Sequence, residues 1–238
     1  MGYSQQYGAT GSVFFNSITG WHLKSTTPTS SIENTHVVRD SGGHYLPDSK
    51  KSSGAKTTIT EVWECNGDST AAPSVKIGKI SALVAVDSAS LACTGSGRPT
   101  LTITGHRHDE KQDNACTHLD GAYECQFEMP PNAYGAVNPF GSAVSGFEDL
   151  EDYEITASTQ TFAIGHTDEN GKTGKFLVGA SRGVTLTAHL EATTANTVEV
   201  GDSGDWVINS ASRPTTNEGL VKLTVDGIKY IDETASGS

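Results

Sequence analysis

A chain of 238 residues with 35% hydrophobic content can bury one large core, or two small ones that share it. Sixteen Lys and Arg against 28 Asp and Glu give a net charge of -12, which repels a phosphate backbone and argues against nucleic-acid binding through a basic face. Cys65, Cys93, Cys116 and Cys125 are too few for a disulfide-dense scaffold at this length, so buried thiols are the default.

Residues 1–12 form a polar arm of Gly, Ser, Gln and Tyr with too little apolar surface to order itself. The opening MGYSQQYGATGSVFF lacks the charged and apolar regions of a secretory signal, and no apolar run reaches bilayer-spanning length. A soluble protein made in the cytoplasm, or one whose signal segment has been removed, is therefore expected. A short apolar piece at Val13 to Phe15 leads into residues 24–57, which are crowded with Ser, Thr, Lys, Gly and Pro and read as a long structureless loop. Such a loop inside a compact domain generally has a job, and in an assembly protein that job is to reach a partner. The arm at 1–12 is thus followed by a single β domain at 13–238, with an assembly loop at 24–57.

The first strand-rich block runs from Thr57 to Met129. Thr58 to Glu64 is a strand ending at Asn66-Gly67, and Val75 to Val86 carries its apolar residues at odd positions through Ile77 and at even ones from Ile80. That change of phase predicts a bulge near Gly78. Leu101 and Ile103 alternate next, and Tyr123, Cys125, Phe127 and Met129 make a further strand. Asp120-Gly121 offers a turn that would let Cys116 and Cys125 pair. The segment from Pro130 to Gly146 is a connection, and Phe147 to Tyr153 is the one candidate for a short helix.

The second block runs from Glu154 to Ile231. Its strands are expected at Ile155 to Ile164, Lys175 to Ala180, Val184 to Ala192, Thr197 to Val200, Trp206 to Ile208 and Leu220 to Tyr230. The alternation is clearest where Val184, Leu186, Ala188, Leu190 and Ala192 are interleaved with Thr185, Thr187, His189 and Glu191, the pattern of a half-buried strand. Asn170-Gly171 and Asp226-Gly227 are placed as hairpin turns. Two such blocks predict an all-β fold, a β-sandwich or small barrel of two packed antiparallel sheets with at most one or two short helices. TGHRHDE at 104–110 and IGHTDEN at 164–170 echo one another, and coincidence is the simpler explanation.

Three constellations invite chemistry. Gly201, Asp202, Ser203 and Gly204 resemble the nucleophile loop of trypsin-like proteases, and Thr187-Ala188-His189 resembles part of their histidine motif. The histidine and serine are much too close in sequence for that fold, and Asp205 stands where a glycine should follow, so a Gly-rich turn is the plainer reading. His106, His108, Cys116, His118 and Cys125 are the best metal candidates, since alternating pairs on two strands offer zinc four borderline ligands. The solvated loop from Asp109 to Asn114 explains the same histidines without a metal. Glu148, Asp149, Glu151, Asp152 and Glu154 lack the glycine and alternating oxygens of a calcium loop and read as an acidic surface. No catalytic, cofactor or metal site is assigned, and no enzymatic activity is expected.

The polar arm, the Ser/Thr/Lys/Gly stretch at 24–57, the two strand-rich blocks, the strand from Pro99 to Gly105 with its polar sequel from His106 to Asn114, and the acidic balance together resemble virion structural proteins of tailed bacteriophages. The similarity is greatest to their tail tube proteins and to the tube subunits of contractile injection machines. It covers the whole chain in layout and rests on no single motif. It implies homo-oligomeric rings that stack around a DNA channel, other tail proteins as partners, DNA only as passing cargo, no membrane, no cofactor, and a place in the virion. An acidic lumen would let DNA slide past. The rival readings are a secreted adhesin or carbohydrate-binding module using Trp21, Trp63 or Trp206 for stacking, another virion component such as a head or decoration protein, and, weakest, a hydrolase on a β scaffold.

Overall fold

The computed structural model describes residues 12–15, 17–36, 41–42, 51–66, 73–77, 80–81, 84–108, 123–127, 129, 135–159, 161–167, 173–180, 184–193, 197–213 and 222–231. Strands make up most of the described residues, and all of their pairings are antiparallel. They are β1 (Trp21–His36), β2 (Lys51–Cys65), β3 (Ser74–Ile77), β4 (Ile80–Ser81), β5 (Val84–Thr94), β6 (Thr100–His108), β7 (Tyr123–Gln126), β8 (Asp149–Ser158), β9 (Thr161–Thr167), β10 (Thr173–Ala180), β11 (Val184–Thr193), β12 (Gly201–Ser203), β13 (Trp206–Ser212) and β14 (Lys222–Ile231). Among the described residues there is no α-helix, only a 3-10 turn at Gly141–Ala143.

Ten strands form one sheet in the order β1-β2-β6-β5-β8-β11-β14-β13-β12, with β4 beside β5; β9–β10 and β3–β7 are separate two-stranded ribbons. The path is open. Among the described residues its end strands β1 and β12 do not pair with each other, so of the sandwich or small barrel expected from the sequence the closed barrel is not formed.

Other expectations are corrected as well. Residues 24–36 and 51–57 are not loop but the two arms of a long hairpin, paired as Thr27↔Thr60 and Thr29↔Thr58. Thr favours the pleated backbone even where no apolar face exists to betray it. Phe147 to Tyr153 runs into β8 rather than a helix, because Tyr153 and Ala157 are buried on one face of the sheet. Asp226-Gly227 lies inside β14 rather than at a turn, and residues 197–199 are not strand. Gly78 and Lys79, where a bulge was expected, lie outside the described residues; β3 and β4 on either side of them pair with different partners, β7 and β5.

The sheet is built twice over. In the first half, β1-β2-β6-β5 lie side by side; in the second, β8-β11-β14-β13 follow the same order, a first and second strand paired antiparallel and the last strand inserted between second and third, with the β9–β10 ribbon intervening in sequence between β8 and β11. The irregularities coincide too. Leu23 and Ser25 pair with Trp63 and Val62, leaving Lys24 as an extra residue; Leu150 and Asp152 pair with Ala192 and Glu191, leaving Glu151. Val86 and Ser88 oppose Gly105 and Thr104 across a bulge at Asp87, just as Ile208 and Ser210 oppose Gly227 and Asp226 across one at Asn209. The small hairpins match as well, Ile80↔Ala85 with Asp202↔Val207. Bulges sit where a backbone must bend, so their recurrence at matching places marks a structural repeat.

One face of the sheet is the core. Ile59, Trp63, Leu91, Leu101, Ile103, Leu190, Ile208, Leu223 and Val225 are buried there, under a cover made of residues 12–15 and 17–18, the β3–β7 ribbon and residues 136–147. Each half has an aromatic in its cover seated on a glycine. An added Cβ at Gly105 would collide with the Ala85 carbonyl and come within 2.9 Å of the Phe14 ring, while one at Gly227 would lie 2.6 Å from Phe140 and 3.2 Å from the Val207 carbonyl. Close approach, not a turn, is why both positions are glycine. Phe15 meets Trp63 edge-on at 6.1 Å, and Phe140 meets Trp206 at 5.0 Å. Beneath the first cover, the fully buried Glu61 carboxyl accepts from the Ser12 hydroxyl at 2.6 Å, the Val13 amide at 2.5 Å and the Trp63 indole at 3.2 Å. Three donors satisfy a group that burial would otherwise penalise heavily.

Candidate functional site

The opposite face carries hydroxyls and charges. In register across the first half, Thr27, Thr60, Thr104 and Ser88 form one transverse row, with the Thr60 and Thr104 hydroxyls 3.4 Å apart. The matching row of the second half is Glu154, His189, Asp226 and Ser210. The same four places hold neutral hydroxyls in one repeat and titratable groups in three of four positions in the other. This is where the outer faces of the two repeats differ most in chemistry.

Hydrogen bonds knit the charged row together. Asp226 sits at its centre, bonded to His189 Nδ1 at 2.6 Å and accepting from the Ser210 hydroxyl at 2.6 Å. Glu154 accepts from Ser90 at 2.7 Å and Thr156 at 3.2 Å, and the second ring nitrogen of His189 lies 3.9 Å from Glu191. Burial pushes the Asp226 carboxyl up, but the bonds from Ser210 and His189 outweigh it and hold the group below the ordinary aspartate range. The serine donates to the aspartate rather than to the imidazole. That is not the order of a nucleophile, its base and the base's orienting acid.

The acidic run beside this row is also engaged. Glu151, the extra residue of its bulge, accepts from Lys222 at 2.6 Å and from Thr193 at 3.2 Å; the Lys222 bond holds the Glu151 carboxyl low and raises Lys222. Asp152 accepts from the Gly95 amide at 2.6 Å. Among the described residues, no group of three or more His, Cys, Asp or Glu is placed to hold a metal ion.

The remaining constellations separate. Ser203 lies on β12 at the sheet end, facing the cover, where its hydroxyl donates to the Ala143 carbonyl at 2.6 Å. His189 lies on the opposite face, three strands away, so the protease-like pair is not assembled. His106 is buried and bonds Asp87, the residue of the β5 bulge, at 2.7 Å. Cys125 is in the core on β7, a free thiol whose pKa burial pushes up to about 11; Cys65 and Cys93 are free and buried too. The His108 side chain, Cys116 and His118 lie outside the described residues. Trp21, Trp63 and Trp206 are 7%, 4% and 6% exposed, so none presents a ring for stacking a sugar.

Sequence reasoning singled out His189 and the acids at 148–154 but missed Asp226 and Ser210, having placed Asp226 in a turn. A cleft of about 490 Å³ between the turn at Pro139–Ala143 and the β12–β13 hairpin was also missed, and its rim carries the Asp205–Lys229 ion pair at 2.8 Å. The chain matches no protein-family model, and no curated protein resembles it in sequence beyond chance.

Proposed function

We propose that this chain is a structural subunit that assembles with copies of itself into a tube of the phage-tail kind, with the hydroxyl-rich and acidic face of the sheet turned toward the lumen. One observation carries the reading. A continuous ten-stranded sheet is sealed on one face by its own cover, while the other face is a field of Thr, Ser and carboxylates already bonded to one another. Groups satisfied in this way have little left to grip a ligand, and negative charge repels a polyanion, so DNA passes without sticking. The two layers expected of a sandwich are, in this reading, the sheet and its cover.

The proposal puts the protein in a virion, with other tail proteins as partners and no catalytic role. Purified protein at high concentration should form rings or tubes under negative-stain electron microscopy and sediment as an oligomer. A monomer at every concentration tested would remove the reading. Covalent labelling by a fluorophosphonate probe that disappears in Ser203→Ala would restore a hydrolase.

A further inference from the structure

We infer that subunits join edge to edge, the outer edge of β13 in one copy pairing with the outer edge of β1 in the next, in the register of the joint that already links the two halves of the chain. This rests on the self-assembly reading and names its contact.

The internal joint is β5 against β8, the third strand of one repeat against the first strand of the next, with Ser88↔Ser158, Ala89↔Ala157 and Ser90↔Thr156 opposite one another. Along the sheet, the second repeat finishes with its third strand, β13, and the first repeat starts with its first strand, β1. Past its bulge β13 is paired, among the described residues, on one side only, with β14, at Ser210, Ala211 and Ser212, the counterparts of Ser88, Ala89 and Ser90. β12 covers β13 only before the bulge, as β4 covers β5. On β1, the counterparts of Thr156, Ala157 and Ser158 are Thr29, Ser30 and Ser31, exposed and, among the described residues, paired on one side only, with β2. Applying the internal joint to the two ends sets Ser210 opposite Ser31, Ala211 opposite Ser30 and Ser212 opposite Thr29.

Two details agree with that pairing, and one limits its length. The bulge carbonyl of Asp87 accepts from the Thr159 amide at 3.1 Å, and the same step at the ends presents the Asn209 carbonyl to the Ile32 amide. β13 ends at Ser212, so the pairing stops at Thr29 with three pairs where the internal joint runs on through Leu91↔Ile155; Pro28, at the place of Ile155, has no N–H with which to extend it. Val200 and Val207, 61% and 37% exposed, flank β12 beside the open edge and supply apolar surface for a neighbour. A head-to-tail joint between unlike edges either closes into a ring or continues as a filament, and either way leaves no edge unpaired within it.

The test mixes two singly substituted full-length chains, Ser31→Cys in one and Ser210→Cys in the other, distinguished by mass, and bridges them with a short thiol cross-linker; the unsubstituted chain subtracts any reaction of the native thiols. Directly opposed residues are the closest cross-strand neighbours, so mixed dimers should exceed those of the staggered pair Ser31→Cys with Ser212→Cys by about ten-fold. Hydrogen exchange of the amides at 29–32 should slow on assembly in the unsubstituted protein. If the protein assembles, but the in-register pair gives no more product than the staggered one and the amides exchange as in the monomer, the edge joint is wrong and the tube reading stands. If sedimentation shows only monomer at every concentration, both fall.

Discussion

Replacing Glu61 by Leu separates two opposed forces. Leu190 occupies the matching position of the second repeat, so a leucine there is compatible with this backbone and with a place in the core. If the burial of a carboxyl group dominates, Glu61→Leu should stabilise the protein, as replacing buried ionic groups by apolar ones often does. The structure points the other way, because the substitution leaves the Ser12 hydroxyl, the Val13 amide and the Trp63 indole with no acceptor. An orphaned buried donor costs about 1–3 kcal/mol. Three such donors cost about 3–9 kcal/mol and burial of the leucine side chain returns about 1.5–3 kcal/mol, so we expect a net loss of at least about 2 kcal/mol, a large part of a typical stability of about 5–15 kcal/mol. In urea, with a slope near 2–3 kcal/mol per molar, the midpoint should fall by roughly 1 M. Glu61→Gln, which keeps one acceptor oxygen, should fall between the two. Local readouts should follow: faster exchange of the Val13 amide and a red shift of Trp63 fluorescence. A Glu61→Leu protein as stable as the original, with Val13 equally protected, would refute the reasoning.

Gly227→Ala drives a methyl group against Phe140 and the Val207 carbonyl, so it should cost about 1–3 kcal/mol by thermal melting and disturb the Trp206 environment, whereas Phe140→Ala combined with it should lose less than the sum of the two. Asp226 is held below its ordinary range in the folded state, so its contribution is present above about pH 4 and is lost as pH falls through the lower folded value; Asp226→Asn should flatten that part of a stability-against-pH curve. Cys125 should resist iodoacetamide at pH 8 in the folded protein, given a thiol near 11 in the core, and react promptly in denaturant, as peptide mapping by mass spectrometry would show.

The strands with one apolar face were legible in the sequence because burial imposes a period of two, and β11 matches its alternation closely. β1 was not legible, since most of its described side chains are partly or fully exposed and Ser, Thr and Lys in any order satisfy that. Asp226-Gly227 misled for a different reason. The dipeptide fits a turn, yet here the glycine makes room for Phe140, a residue far away in sequence that no local rule reaches. The charged row was hidden likewise: His189, Asp226 and Ser210 come together only through register. The repeat was invisible because its marks are bulge positions and strand order, while matching places hold Glu61 and Leu190, or Trp63 and Ala192.

In each half the strand inserted between second and third is the last of that half's sheet strands to be synthesised. β14 therefore lies between β11 and β13 although it is the last of the described strands in sequence. While it is still inside the ribosome, β11 is unpaired on that side and β13 has only the short β12 beside it, so the second half cannot close its core until residues 222–231 have emerged. The nascent chain must wait with a completed first half and an open second one, exposing strand edges that invite the wrong neighbours. Losing the C-terminal strand would not trim this protein at its margin but would cut through the middle of its second half.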